Sequence, residues 1–154
     1  MRGLIQKLDI RVIGLLRKME MPMARFAIFA VYFWFGLLKL LGLSPATPLV
    51  YALFEKTISV MPFTAFYGPF AIFEITIGVL FLVRGLERAA ICLLVLHLAT
   101  TILPLIFLPY IAWQAFLVPT LERQYIIKNI LIAALAIVIG SRLAPLSLKS
   151  RLQR

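Results

Sequence analysis

The sequence predicts an all-α integral membrane protein: a four-helix bundle with both termini cytoplasmic, an N-terminal interfacial amphipathic helix and interfacial outer loops. Three observations carry this expectation. Hydrophobic residues make up 63% of the 154-residue chain and charged residues only 14%, with a mean hydropathy of +1.03, whereas a soluble globular domain carries roughly 25% charged residues. The apolar residues come in blocks of about 20, and a helix of that length spans about 30 Å, the thickness of a hydrocarbon core. The basic residues behind the net charge of +10 cluster at the two ends of the chain and in one short loop.

The first element covers residues 1–23. In LIQKLDIRVIGLLRKMEM, Lys7, Arg11 and Lys18 fall on one stripe of a helix, and Leu4, Leu8, Val12, Leu15 and Met19 on the adjacent face. This is the pattern of a helix lying in the plane of a membrane surface, its cations against anionic lipid. Residues 24–43 form the first span; too long for a signal-peptide core and followed by no A-x-A-like site, it is expected to remain as an anchor. In SPATPLVYALFEKTISVMP, Thr47 is the expected N-cap and Pro48 the first residue of a short helix on the outer surface. The second and third spans, 62–83 and 89–109, flank a loop with Arg84 and Arg88, and LPYIAWQAFLVP brings Tyr110 and Trp113 to the outer interface as belt anchors. Residues 125–143 make the fourth span and 144–154 a basic tail. The N-terminal stretch, the Arg84–Arg88 loop and the tail hold the unbalanced cations, while Lys56 and Arg123 are offset by Glu55 and Glu122, so the first three belong on the cytoplasmic side.

Several chemistries lack their residues. The cations are not interleaved with aromatics as a nucleic-acid surface requires, so no nucleic-acid partner is expected. The single cysteine, Cys92, rules out an internal disulfide or a four-cysteine metal site, and the single histidine rules out bis-histidine haem ligation by this chain alone. The chain has no G-x-x-x-x-G-K-[ST], H-E-x-x-H or G-x-S-x-G, and no metal or cofactor is expected to be bound by its own motifs.

The ionisable residues inside the spans are Lys39, Glu74, His97 and Lys128. Each costs about 2.5 to 3.5 kcal/mol to place at the centre of a bilayer unless a partner relieves it. Helical rise puts Glu74 and His97 at one depth, about 12 to 14 Å from the cytoplasmic ends, and the two lysines at about 22 to 24 Å. The lysines are therefore expected to snorkel to the outer headgroups or to line an outward cavity. Glu74 shares its helix face with Ala71 and Gly78, and His97 shares its face with Thr100, Thr101 and Pro104. Asn129, Ala133, Ala136 and Gly140 form a small-residue seam on the fourth span. Glu74 and His97 are accordingly expected to face each other in the interior, either as a structural hydrogen bond or as a proton-linked or ligand site.

The segments VYFWFGLLKLLG, GPFAIFEITIGVLFLVRGLERAA and LERQYIIKNILIAALAIVIG resemble the DoxX-like membrane proteins over roughly residues 24–142. The likeness rests on G-x-x-K (Gly36, Lys39), E-x-x-x-G (Glu74, Gly78) and the K-N entry to the last span (Lys128, Asn129); with Trp34, the first motif is also similar to that of the reactive-chlorine-resistance membrane proteins. The resemblance implies a four-helix protein of a bacterial inner membrane, tied to quinone-linked or oxidative-stress complexes, with quinone as the cofactor class. It points to Lys39, Glu74, Lys128 and Asn129 as site residues. Two function classes follow beside a purely structural or assembly role. One is a small membrane subunit or accessory protein of a redox or quinone-linked complex, with other membrane subunits as partners. The other is a homo-oligomeric carrier or channel for a small anion, weak acid or proton, with Lys39 and Lys128 as an outward cationic vestibule.

Overall fold

A computed structural model describes residues 2–58, 60–108, 113–115 and 118–145. Among them are five helices: α1 (Arg2–Leu40), α2 (Thr47–Thr57), α3 (Phe63–Leu82), α4 (Glu87–Phe107) and α5 (Leu121–Ser141). Strands β1 (Trp113–Ala115) and β2 (Val118–Pro119) form an antiparallel ribbon between α4 and α5. The expected interfacial segment there is thus a short β-ribbon; Tyr110 lies outside the described residues, as do Lys149, Arg151 and Arg154 of the tail.

The expected separation of an interfacial helix (1–23) from a first span (24–43) is not seen. α1 runs unbroken through Pro22 for 39 residues, about 58 Å. Pro22 lacks the N–H that would bond the Lys18 carbonyl, so the helix forfeits one backbone hydrogen bond there but continues past it. The helix stops where Gly42 takes φ +70: its N–H bonds the Lys39 carbonyl at 3.1 Å and Leu43 N–H bonds the Leu38 carbonyl at 2.8 Å, a glycine-terminated C-cap. α2 begins one residue earlier than expected. Ala46 holds the N-cap position, and the Thr47 hydroxyl bonds the Ser44 carbonyl (2.8 Å) and the Tyr67 hydroxyl (2.6 Å) instead.

Helices α1, α3, α4 and α5 pack in a ring, α1 on α3, α3 on α4, α4 on α5 and α5 back on α1. Their shared core is built from Ile28 and Tyr32 of α1, Ile77 and Phe81 of α3, Ala90 and Leu94 of α4, and Ala136 and Ile139 of α5. The α1–α3 contact is the closest. A methyl group on Gly36 would sit 2.7 Å from Ile75 Cγ1 and 2.9 Å from the Ala71 carbonyl oxygen, and one on Gly78 would meet the Phe33 nitrogen at 3.1 Å and the Phe29 oxygen at 3.2 Å. These two glycines let the backbones touch, as small residues do between membrane helices.

Among the described residues, three helices are long and apolar enough to cross a membrane: α1 over Leu4–Leu40, α3 and α4. α5 contributes a shorter apolar stretch, Ile126–Ser141. The outward faces are largely apolar, with Trp34, Leu96, Ile130, Leu131 and Ile137 all exposed and Cys92 exposed among them, as expected of a surface solvated by lipid rather than water.

Candidate functional site

Each interior helix presents one stripe at heptad-like spacing. On α1 the buried positions are Ala24, Ile28, Tyr32, Gly36 and Lys39; on α3 they are Ala71, Glu74, Ile77, Gly78 and Phe81; on α4 they are Glu87, Ala90, Leu94, His97 and Pro104. Because the glycine contacts pair Gly36 with Ala71–Ile75 and Gly78 with Phe29–Phe33, α1 and α3 run antiparallel, and Tyr32 and Lys39 bracket Glu74. α4 adds His97 from the other side.

The result is a hydrogen-bonded chain of four side chains. Lys39 Nζ donates to Glu74 Oε2 at 2.5 Å, Glu74 Oε1 and His97 Nε2 are 3.0 Å apart, and His97 Nδ1 and the Tyr32 hydroxyl are 3.0 Å apart. All four are buried, at 7%, 5%, 6% and 5% exposure respectively. The imidazole is held between rings: Phe70 stacks on it at 5.6 Å, Phe73 lies at 6.1 Å, and Tyr32 meets it edge-on at 5.1 Å. Lys39 Nζ also sits 5.6 Å from the Phe70 ring centre, within cation–π range. The lysine charge therefore has both a carboxylate and an aromatic face to replace water.

This corrects the expectation for Lys39, which neither snorkels to the outer headgroups nor lines an outward cavity. A helical Cα–Cβ bond tilts toward the helix N-terminus, so a long side chain near the end of α1 leans back into the bundle, to the level of Glu74. That tilt was the readable signal. Lys128, by contrast, is exposed on α5. Asn129 is half-buried and donates from Nδ2 to Thr101 Oγ1 at 3.1 Å, fastening α5 to α4. The Thr100 and Thr101 hydroxyls bond the carbonyls of His97 (2.7 Å) and Leu98 (2.8 Å) on their own helix, so neither joins the four-residue chain. Tyr32 was not singled out from the sequence, although it stands four residues before Gly36 and seven before Lys39, on the same face.

A second ion pair closes the other end. Glu87 Oε1 accepts from Arg25 Nη2 at 2.5 Å and Oε2 from the Gly85 N–H at 2.8 Å; Gly85 has φ +94, which a side-chain-bearing residue adopts with difficulty. Arg142 pairs with Glu20 at 2.9 Å, and the Arg88 guanidinium reaches the Ala144 carbonyl at 2.5 Å. Thus the start of the α1 bundle segment, the α3–α4 turn and the end of α5 lie together, while Lys56 bonds the Phe107 carbonyl at 3.0 Å at the opposite end.

Among the described residues no three His, Cys, Asp or Glu side chains converge to hold a metal ion. The arrangement supplies instead a carboxylate, an imidazole and a phenol in series with an ammonium, groups that can hold and pass protons where water is excluded. Compared with known proteins, the chain matches no family model, no curated protein and no solved structure.

Proposed function

We propose that this chain is a small integral membrane subunit or accessory protein of a redox or quinone-linked membrane complex, and that the Tyr32–His97–Glu74–Lys39 chain is its proton-handling site. The observation that carries the reading is the unbroken series of hydrogen bonds through four buried polar side chains in the bundle interior. Quinone chemistry joins electrons to protons inside a bilayer, and protons travel there only through groups of this kind. The aromatic rings of Phe70 and Phe73 beside His97 also suit a flat ring or tail nearby.

Topology belongs to the same proposal. α5 crosses as the fourth span, since its 21 residues give about 31 Å of helix. The gathering of Arg25, Arg84, Arg88 and Arg142 at one end supports an orientation with that end, and both termini, in the cytoplasm of a bacterium and the bundle in its inner membrane. The exposed N-terminal half of α1, with Lys7, Arg11 and Lys18 among leucines and isoleucines, meets anionic headgroups or a neighbouring subunit there. The alternative of an anion, weak-acid or proton carrier draws less support, because Lys39 is already neutralised by Glu74 and is not open to form a cationic vestibule with Lys128.

Purification from native membranes in a mild detergent tests the reading. The wild type should retain an extractable quinone or copurifying membrane subunits, and Glu74→Gln or His97→Gln should lose the quinone while remaining folded. A stable, partner-free monomer without quinone rejects it.

A further inference from the structure

We infer that Tyr32 is a positioning residue that fixes His97 in one neutral tautomer: its hydroxyl donates to Nδ1, which commits the remaining ring proton to Nε2 and to Glu74. The contacts leave few alternatives. Glu74 already receives the Lys39 ammonium on Oε2, so the pair is neutral only if Glu74 is a carboxylate, and a carboxylate accepts and does not donate. Its Oε1, 3.0 Å from Nε2, then requires a proton on that nitrogen. Nδ1 is left with a lone pair, and the Tyr32 hydroxyl 3.0 Å away is the donor that fills it.

The opposite assignment fails on both sides. A proton on Nδ1 alone would turn the Nε2 lone pair toward the carboxylate and oblige the phenol to accept. A doubly protonated ring would leave the site with one net positive charge in hydrocarbon, a cost of about 2.5 to 3.5 kcal/mol. The groups around the imidazole are Tyr32 and Lys39 from α1, Glu74, Phe70 and Phe73 from α3, and, on its own helix, Thr100, whose hydroxyl is bonded to the His97 carbonyl. From α5, Asn129 is bonded to Thr101. Glu87, ten residues before His97 on α4, lies about 15 Å along the axis and is paired with Arg25.

The consequence is directional. With Nε2–H facing Glu74 and Nδ1 filled by Tyr32, the network rests with its imidazole N–H aimed at the carboxylate, and the Tyr32 hydroxyl holds the ring in that orientation. The inference concerns the network put forward above as the proton-handling site, but stands on the hydrogen bonds alone.

Because the chain has one histidine, the test is direct. Full-length protein labelled with nitrogen-15 only in histidine, reconstituted in lipid, should give one ring signal set: Nε2 protonated and Nδ1 bare but hydrogen-bonded. In Tyr32→Phe, the Nδ1 resonance should move to the position of a bare nitrogen without a hydrogen bond, with circular dichroism showing the helices intact. A wild-type ring protonated on Nδ1, or on both nitrogens, overturns the inference even if the variant does not fold, and an unmoved Nδ1 resonance in a folded Tyr32→Phe overturns it equally. Absence of quinone with the stated tautomer would count against the proposed function and leave the role of Tyr32 standing.

Discussion

Removing one partner of the Lys39–Glu74 pair isolates the energetics of the interior. The ammonium and carboxylate are 2.5 Å apart with side-chain exposures of 6% and 7%, so neither has water to fall back on. With an effective dielectric of about 20, unit charges at that separation attract by about 7 kcal/mol, but stripping each of its hydration returns several kcal/mol, so the intact pair contributes little net stability. Breaking it is another matter. Glu74→Gln keeps a shape that still reaches His97 but leaves Lys39 without a counter-charge, at a cost of about 3 to 5 kcal/mol, or roughly two to four powers of ten in the unfolding constant. Lys39→Met strands the carboxylate at similar cost. Lys39→Met/Glu74→Gln removes both charges and should recover most of the loss, lying within about 1 kcal/mol of the wild type. Reversible unfolding in mixed micelles, followed by circular dichroism over a denaturing-detergent titration, measures all four species. Two single variants each within about 0.5 kcal/mol of wild type, or a double variant as costly as the sum, would refute the claim that Lys39 and Glu74 neutralise each other in a dry interior.

Other expectations follow from individual contacts. Gly36→Ala and Gly78→Ala should each destabilise by about 1 to 3 kcal/mol in the same titration, because the added methyl meets backbone atoms, whereas Gly140→Ala, with its nearest neighbour at 3.5 Å, should be nearly neutral. Glu87→Gln should cost about 1 to 2 kcal/mol, less than Glu74→Gln, since the Arg25 side chain retains 18% exposure and part of its hydration. Asn129→Ala should lower stability by only about 0.6 kcal/mol, the average for a hydrogen bond between membrane helices. Cys92, exposed on the outer face of α4, should resist a membrane-impermeant maleimide in intact membranes and react once the bilayer is dissolved; labelling in intact membranes would place that face in water.

Local order along the chain was legible in particular residues. The length and apolarity of α3 and α4, the turn holding Arg84 and Arg88, and the shared face of Glu74, Ala71 and Gly78 all follow from composition and a period of 3.6 residues. Less legible was where one helix ends and another begins: the charge pattern divides residues 1–23 from the segment after them, yet α1 continues through Pro22, which forfeits one backbone hydrogen bond without ending the helix. The ribbon at Trp113–Pro119 was hidden for a similar reason, since strands of two or three residues leave no periodicity to read.

The sequence by itself determined the solvent. So many apolar residues in blocks of membrane-spanning length have no stable place in water, and the few ionisable ones among them had to be inside a bundle or at its ends. Which of those groups meet was decided only in three dimensions. Depth along separate helices put Lys39 well away from Glu74, but the close glycine contacts of α1 with α3, together with the backward tilt of helical side chains, bring the ammonium onto the carboxylate, and the same packing delivers Tyr32 to His97. Side-chain reach and interhelical register are properties of the packed bundle, and no single helix encodes them.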